Sequence, residues 1–438
     1  MPPPDKKSLL VLNRWPGRDP AARGWDGLLL DYGRLIPHDD YHVIYVVEES
    51  GRSALPDADR HPHDLVEVPS LDDKGDVDAV VDDLLTRLQA RWPALDVARV
   101  VCLSEFNMLV GGLLRSRLGV PGLDYDHVLR CRSKLEMRAV AERAGVHEPR
   151  YARATPSTAA SLRIPFPCIA KPVIGESSHG VVRLDDAEAL SRYVTSAPEE
   201  FVLEEFIDAP VYHVDGVVAE GRVAGFIASR YLNDCLRFNQ GHCLGSHIVT
   251  DAATNRRLDK ATRAIVAALG IDATAFHLEL FDDGRETWFL EIGARMAGAE
   301  VSYLVHDVFG VSLLEAAVAA ELGLPLPPLP NGGAVDRSGG WLLLPEPQRF
   351  PSTVVGVTVL ENEIPGVLRE LVPTTGHVFD KQGHYASLMA GRYVVEAPDG
   401  DAARACLEQI LQRFRLDYEH DGRLHQLTFD IPDDHDER

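Results

Sequence analysis

Short apolar runs separated by helical patterns open the chain. Residues 9–12, 43–47, 65–68 and 99–103 are short runs, apolar but for Glu67 and Arg99, and read as buried strands. Between the last two, Val77, Val80, Val81, Leu84, Leu85 and Leu88 recur at the spacing of one helical face. Strands alternating with helices pair in parallel through right-handed crossovers. Residues 1–120 are therefore expected to form a small doubly wound α/β sheet that ends near Gly119.

A second lobe, residues 121–212, is expected to be α+β. In S-K-L-E, Ser133 stands three residues before Glu136, the spacing of a capping box; Met137, Val140 and Ala141 follow, and Gly145 stops the helix. Residues 167–174, 201–207 and 214–218 read as strands. The third lobe, residues 213–438, holds a polar stretch over 233–246, a helix over 251–269 stopped by Gly270, and two strands around the Asp283-Gly284 turn. The P-L-P-P-L-P-N-G-G run over 325–333 reads as a linker to a C-terminal subdomain from about 334, with a helical pattern over 407–414. No internal repeat is present, and the residues from Asp430 onward are expected to fray.

Composition narrows the classes. The chain has 438 residues, 45% of them apolar, enough for several packed lobes. A formal charge of -23 without any Lys/Arg-rich block argues against nucleic acid or an anionic membrane as partner. The apolar stretch 8–12 is too short for a signal-peptide core, and no segment approaches a membrane span. Cys102, Cys131, Cys168, Cys235, Cys243 and Cys406 lack paired spacing, which suggests reduced thiols and a cytoplasmic address. Cys235, His242, Cys243 and His247 cluster, yet their spacing fits no common zinc pattern.

Candidate chemistry gathers in the hairpin. Phe276, Leu278 and Leu280 alternate with His277, Glu279 and Phe281, while Trp288, Leu290 and Ile292 alternate with Phe289 and Glu291. With a loop of odd length, residues 282–286, Glu279 and Glu291 emerge on one face as diagonal neighbours. Two such carboxylates repel unless a cation lies between them, and oxygen-only ligands favour magnesium. Arg295, in E-I-G-A-R-M-A-G, brings a guanidinium that can grip phosphate in bidentate fashion. Lys171 ends an apolar strand before G-E-S-S-H-G, a loop whose backbone N–H groups and hydroxyls can cover phosphates.

In order, S-K-L-E, C-I-A-K-P-V-I-G-E-S-S-H-G-V, V-L-E-E-F-I, H-L-E-L and E-I-G-A-R-M-A-G resemble the ATP-grasp superfamily over residues 124–333. The resemblance implies an ATP-grasp fold, mixed α/β and α+β, with the N-terminal sheet, a small lid lobe and a C-terminal lobe. It implies that Lys134 and Lys171 bind ATP phosphates, that Ser177 and Ser178 belong to the closing loop, and that Glu204, Glu205 and Ile207 form the adenine hinge. Glu279 and Glu291 would hold magnesium, two ions with manganese able to substitute. Val211 stands where the superfamily often has an acidic residue for ribose, and Gly293 where it has a third, asparagine ligand.

E-I-G-A-R-M-A-G is most similar to L-amino acid ligases, which make dipeptides, and to related carboxylate–amine ligases. In those, the arginine at the Arg295 position binds the acyl phosphate. The implied activity is amide or peptide bond formation through an acyl phosphate, releasing ADP and phosphate, with an amino acid as at least one substrate. Its partners would be small carboxylates and amines; a homodimer is compatible with it. Arg230, Asn233, Arg237 and His247 border the polar stretch that closes over the acyl site in such ligases, and Ala299 stands where a related dipeptide ligase is bulky and aromatic. Residues 339–418 resemble, loosely, the extra domain those ligases carry. A biotin-dependent carboxylase would need a Glu-His pair where Ala299 and Glu300 stand, purine-biosynthesis ligases fit no better, and a non-catalytic ATP sensor would need neither Glu279, Glu291 nor Arg295.

Overall fold

The computed structural model describes residues 6–14, 31–175, 178–233, 235–238, 240–332, 335–381 and 389–432. The first apolar runs become four parallel strands, β1 (Ser8–Asn13), β2 (His42–Val47), β3 (Asp64–Glu67) and β4 (Val97–Cys102), in the order β3-β2-β1-β4. Both faces are covered, as unbroken apolar strands require. Leu10, Leu12, Ile44 and Val46 meet the helices Val77–Arg91 and Met108–Leu118, whereas Leu9, Val11, Val43 and Tyr45 meet the helices Val301–Phe309 and Leu313–Leu322.

The lid is smaller than residues 121–212. Its own core joins β5 (Tyr151–Ala154), β6 (Cys168–Pro172), β7 (Val182–Leu184) and β8 (Phe201–Glu205), ordered β5-β8-β6-β7. The capping-box helix Lys134–Arg143 starts as expected, with Ser133 Oγ accepting from Glu136 N–H at 3.4 Å. However, Met137, Val140 and Ala141 pack with Leu258 and Ile265 of the helix Ala252–Leu269. That amphipathic helix thus belongs to the large lobe, because the apolar surface it must bury lies there.

The remaining strands are β9 (Val211–Ala219), β10 (Arg222–Asn233), β11 (Leu244–Ile248), β12 (Thr274–Asp282), β13 (Thr287–Gly293), β14 (Ser338–Leu344), β15 (Ser352–Val357), β16 (Val367–Leu371), β17 (Val378–Phe379), β18 (Gly391–Ala397), β19 (Leu416–His420) and β20 (Arg423–Leu427). Eight form one sheet, β13-β12-β9-β10-β11-β14-β18-β16, and four form another, β17-β15-β19-β20. Residues beyond 334 therefore extend the central sheet through β14, β18 and β16 rather than standing apart. The proline-rich run is docked on β10: Phe226 N–H donates to Pro330 O at 2.8 Å and Gly332 N–H to Phe226 O at 3.1 Å.

Side-chain alternation gives the eight-stranded sheet two unlike faces. Val214, Phe226, Ala228, Leu278 and Leu280 pack against the helix Ala252–Leu269. Asp251 caps that helix, accepting from Thr254 N–H at 2.7 Å, and Gly270 ends it at φ 68°. On the other face Val217, Ile227, Leu244 and Trp341 pack under the helices Val301–Phe309 and Leu313–Leu322. Among the described residues no single helix is long and apolar enough to cross a membrane; this bent pair passes only jointly, and it is core.

Candidate active site

Glu279 and Glu291 stand directly opposite each other across β12 and β13, not diagonally. Asp282 pairs with Thr287, so the connection is residues 283–286, one shorter than the odd loop expected. The parity is restored further along, where Leu280 pairs with Phe289 but Glu279 with Glu291, leaving Leu290 as a bulge. An inserted residue shifts the pairing and brings both carboxylates to one face. Two acceptor-only side chains facing each other offer a hard cation the oxygen donors it prefers.

Positive charge converges from two elements. Lys134 opens its helix, with Nζ 3.3 Å from Glu291 Oε2 and donating to Gly175 O at 3.2 Å. Lys171, buried on β6, lies 2.6 Å from Glu204 Oε1. Arg138, fully buried on the capping-box helix, donates to the other Glu204 oxygen at 2.7 Å. This triad ties the lid strands β6 and β8 to the large lobe, and neither cation could stay buried without the carboxylate between them. Burial lowers the Lys171 pKa, Glu204 only partly restores it, and the result is about 8. Burial would raise the Glu291 carboxyl, but Lys134 and Lys171 outweigh it and hold the group well below the usual range.

Arg295 is engaged by the N-terminal lobe. Its guanidinium pairs with Glu105 and donates through Nη1 to Met296 O at 2.8 Å. Glu105 also pairs with Arg132, and although burial would raise its carboxyl, Arg295 and Arg132 together hold it low. A Cβ placed on Gly293 would come within 3.1 Å of Arg295 Nε. The position of the expected third ligand is thus small where Arg295 folds back over it. Sequence reasoning passed over Glu105, although it follows the carboxyl end of β4, where open α/β sheets collect ligands.

A buried polar chain leads away from Glu279. Tyr231 donates to Glu279 Oε1 at 3.0 Å, and His277 Nε2 lies 3.4 Å from the same oxygen. His277 Nδ1 is 2.7 Å from Asp215 Oδ1, His213 Nδ1 is 2.5 Å from Asp215 Oδ2, and His213 Nε2 is 2.7 Å from Ser246 Oγ. Burial would lower the His277 pKa, but Asp215 raises it to about 9, and the two imidazoles hold the Asp215 carboxyl far below its usual range. Only His277 was legible beforehand, as the residue two before Glu279 and so on its face.

Other expected residues fall elsewhere. Arg230 pairs with Tyr212 and His247, in the register that alternates with Ser229, Tyr231 and Ser246. Both therefore lie on the sheet face opposite Glu279 and Glu291, a parity that the polar stretch did not reveal. Asn233 ends β10 and Arg237 lies on the short helix Cys235–Phe238. Ala299 has φ 52°. Glu205 pairs with Arg150 at 2.8 Å, and Ile207 lies in the segment joining β8 to β9. Val211, buried at the start of β9, brings no oxygen for a ribose. Ser178 is in the turn before β7; Ser177 lies outside the described residues. Cys243 and His247 belong to no metal-capable group among the described residues, the one such group being His213, Asp215 and His277.

Known proteins agree with this architecture. The ATP-grasp domain family matches residues 164–302. An L-arginine-specific L-amino acid ligase of Bacillus subtilis is 22% identical over 55% of this chain and 62% of its own. An alanine–anticapsin ligase of the same organism is 28% identical over 45% and 48%. The chain thus spans less than two thirds of these relatives. The crystal structure of an L-amino acid ligase from Bacillus licheniformis superposes with a TM-score of 0.69 at 21% identity, covering 94% of this chain and 99% of that one. The chain contains an ATP-grasp domain over residues 164–302 and has the ATP-grasp fold.

Proposed function

We propose that the protein is an ATP-dependent carboxylate–amine ligase that forms an amide or peptide bond, with an amino acid as at least one substrate. The observation that carries this reading is the convergence of Lys134, Lys171 and Arg295, from three elements, on the facing Glu279 and Glu291. The relatives named as amino acid ligases support the substrate class.

Glu279 and Glu291, facing each other with acceptor atoms only, fit magnesium, which when bound neutralises phosphate oxygens and polarises the γ-phosphoryl group. Lys134 and Lys171 offset phosphate charge, and residues 205–207, linking lid to body, hold the adenine with backbone groups because the Glu204 carboxylate is already committed to Lys171 and Arg138. The substrate carboxylate attacks the γ-phosphorus, ADP leaves, and an acyl phosphate results. An uncharged amine then attacks the acyl carbon, phosphate leaves with the electrons of the C–O bond and takes up the proton that the nitrogen loses, while Arg295 meets charge on the departing oxygens. The loop after β6, with Ser177 and Ser178, is the lid that excludes water from the anhydride. A cytoplasmic address is in keeping with Cys102, Cys131, Cys168, Cys243 and Cys406 standing as free thiols.

Bicarbonate chemistry is disfavoured by Glu300, which is fully buried and paired with Arg392. The test is phosphate release across a matrix of acids and amino acids. Release should require an acid and an amine together; turnover driven by bicarbonate and biotin, or turnover that needs neither an acid nor an amine, would overturn the reading.

A further inference from the structure

Glu279 is met by a hydroxyl and an imidazole, whereas Glu291 across the hairpin is met by Lys134. Both groups aimed at Glu279, the Tyr231 hydroxyl and His277 Nε2, address one oxygen, Oε1. The His277 ring is fixed from behind by Asp215, whose second oxygen holds His213, which in turn meets Ser246. Four strands are crossed in this way: β12, β9, β10 through the Tyr231 ring, which lies tilted at 45° against His213, and β11. His213, Asp215 and Ser246 are at most 1% exposed. Burying so many polar groups is costly unless each is satisfied, and a fully satisfied network fixes geometry.

We propose that Ser246, His213, Asp215 and His277, with Tyr231, form a positioning device that occupies Oε1 of Glu279 and presents Oε2 alone to a divalent cation. The proposal rests on the reading that Glu279 and Glu291 hold magnesium. The three central groups do not themselves suit a metal, because 2.5 and 2.7 Å are hydrogen-bond separations, whereas two ligand atoms around one zinc ion stand about 3 Å apart. Asp215 is acceptor-only, so each facing Nδ1 carries its proton; the Tyr231 hydroxyl is the donor to Glu279 Oε1, and the His277 ring edge closes off the same oxygen at 3.4 Å.

The test is manganese binding to the full chain in the presence of ADP, followed by electron paramagnetic resonance of free manganese, with ADP affinity without metal measured in parallel. Asp215→Asn and His277→Gln should each weaken manganese binding by about 10–100-fold, the usual effect of removing a group behind a metal ligand. Ser246→Ala, at the far end of the chain, should weaken it less, and metal-free ADP affinity should change under twofold in all three. Tyr231→Phe, which removes a single hydroxyl from Oε1, keeps the idea falsifiable if Asp215→Asn does not fold. Folded variants that bind manganese within twofold of the parent overturn the positioning role. A stoichiometric metal that survives dialysis and is lost in His213→Ala would also overturn it, by making the trio a metal site. If Glu291→Gln binds manganese as well as the parent, the magnesium assignment fails instead, so the two failures are told apart.

Discussion

β12 carries two unlike chemistries on its two faces. His277 and Glu279 look towards Lys134, Glu291 and Arg295, while Phe276, Leu278 and Leu280 are sealed against the helix Ala252–Leu269. On the apolar side each side chain contributes through burial, roughly 1.5–3 kcal/mol apiece, and neighbours can partly compensate a loss. On the polar side few groups matter, and each is held by a specific partner. The difference implies that stability and activity separate by strand parity alone, although adjacent residues are involved.

The largest effect is expected at Glu291. Glu291→Gln keeps the shape but removes a charge the proposed cation needs, so turnover should fall by about 4 kcal/mol, on the order of a thousandfold. Melting temperature should fall less than in Leu278→Ala, because Lys134 and Lys171 hold the ionised carboxylate in the fold but the group is part-exposed and screened. Leu278→Ala is the counterpart from the other face. It should cost about 2–5 kcal/mol of stability and leave the rate per folded molecule unchanged. If both variants lost stability and activity in proportion, the two faces would not be independent.

Arg295→Ala comes next. By analogy with removing one oxyanion donor, it should cost about 3–4 kcal/mol in the transition state while ATP affinity changes little. Glu105 would keep Arg132 as a partner, so the carboxylate is not abandoned. Loss of nucleotide binding with an unchanged rate at saturating ATP would contradict the proposed role.

How far the sequence carried the picture depended on range. Periodicity located β1, β2, β4 and the helices Val77–Arg91 and Ala252–Leu269, because each signals its own burial locally. β5, β7 and most of β10 escaped, being short or broken by glycine and charge, and the capping-box helix was assigned to the wrong lobe because packing partners are invisible in one dimension. Within the site, Glu279, Glu291 and Lys171 were legible as motif residues. Arg138, Glu105, Asp215 and Ser246 were not, since each acts through a partner distant in sequence. The Glu279–Glu291 alignment was expected from loop parity and arises instead from the Leu290 bulge.

Lys171 gives a pH-dependent test of moderate size. Its pKa falls from an ordinary 10.5 to about 8 because burial outweighs Glu204. Between these values the unfolded chain binds more protons than the folded one, so this group's contribution to stability rises with pH across that window. Activity should move the opposite way, since phosphate binding needs the cation. kcat/KM for ATP, which reports the free enzyme, should decline above pH about 8. Lys171→Arg should be slower at its optimum but lack that limb, and an unchanged limb would assign it to another group.

The smallest effect is expected where sequence order is most misleading. Arg230 and Tyr231 are adjacent on β10, yet Tyr231 donates to Glu279 while Arg230 faces Tyr212 and His247 on the side that packs helices. A polar residue in a stretch bordering the site therefore has no direct route to the acid or the amine unless it sits on the right parity. Arg230→Ala should leave KM for every accepted acid and amine within about twofold, with any cost appearing as lost packing of the long aliphatic stem. Tyr231→Phe, one residue away, should shift the metal dependence of the rate instead. A change in substrate preference of tenfold or more in Arg230→Ala, with Tyr231→Phe silent, would show that the substrate enters from the helix-covered face.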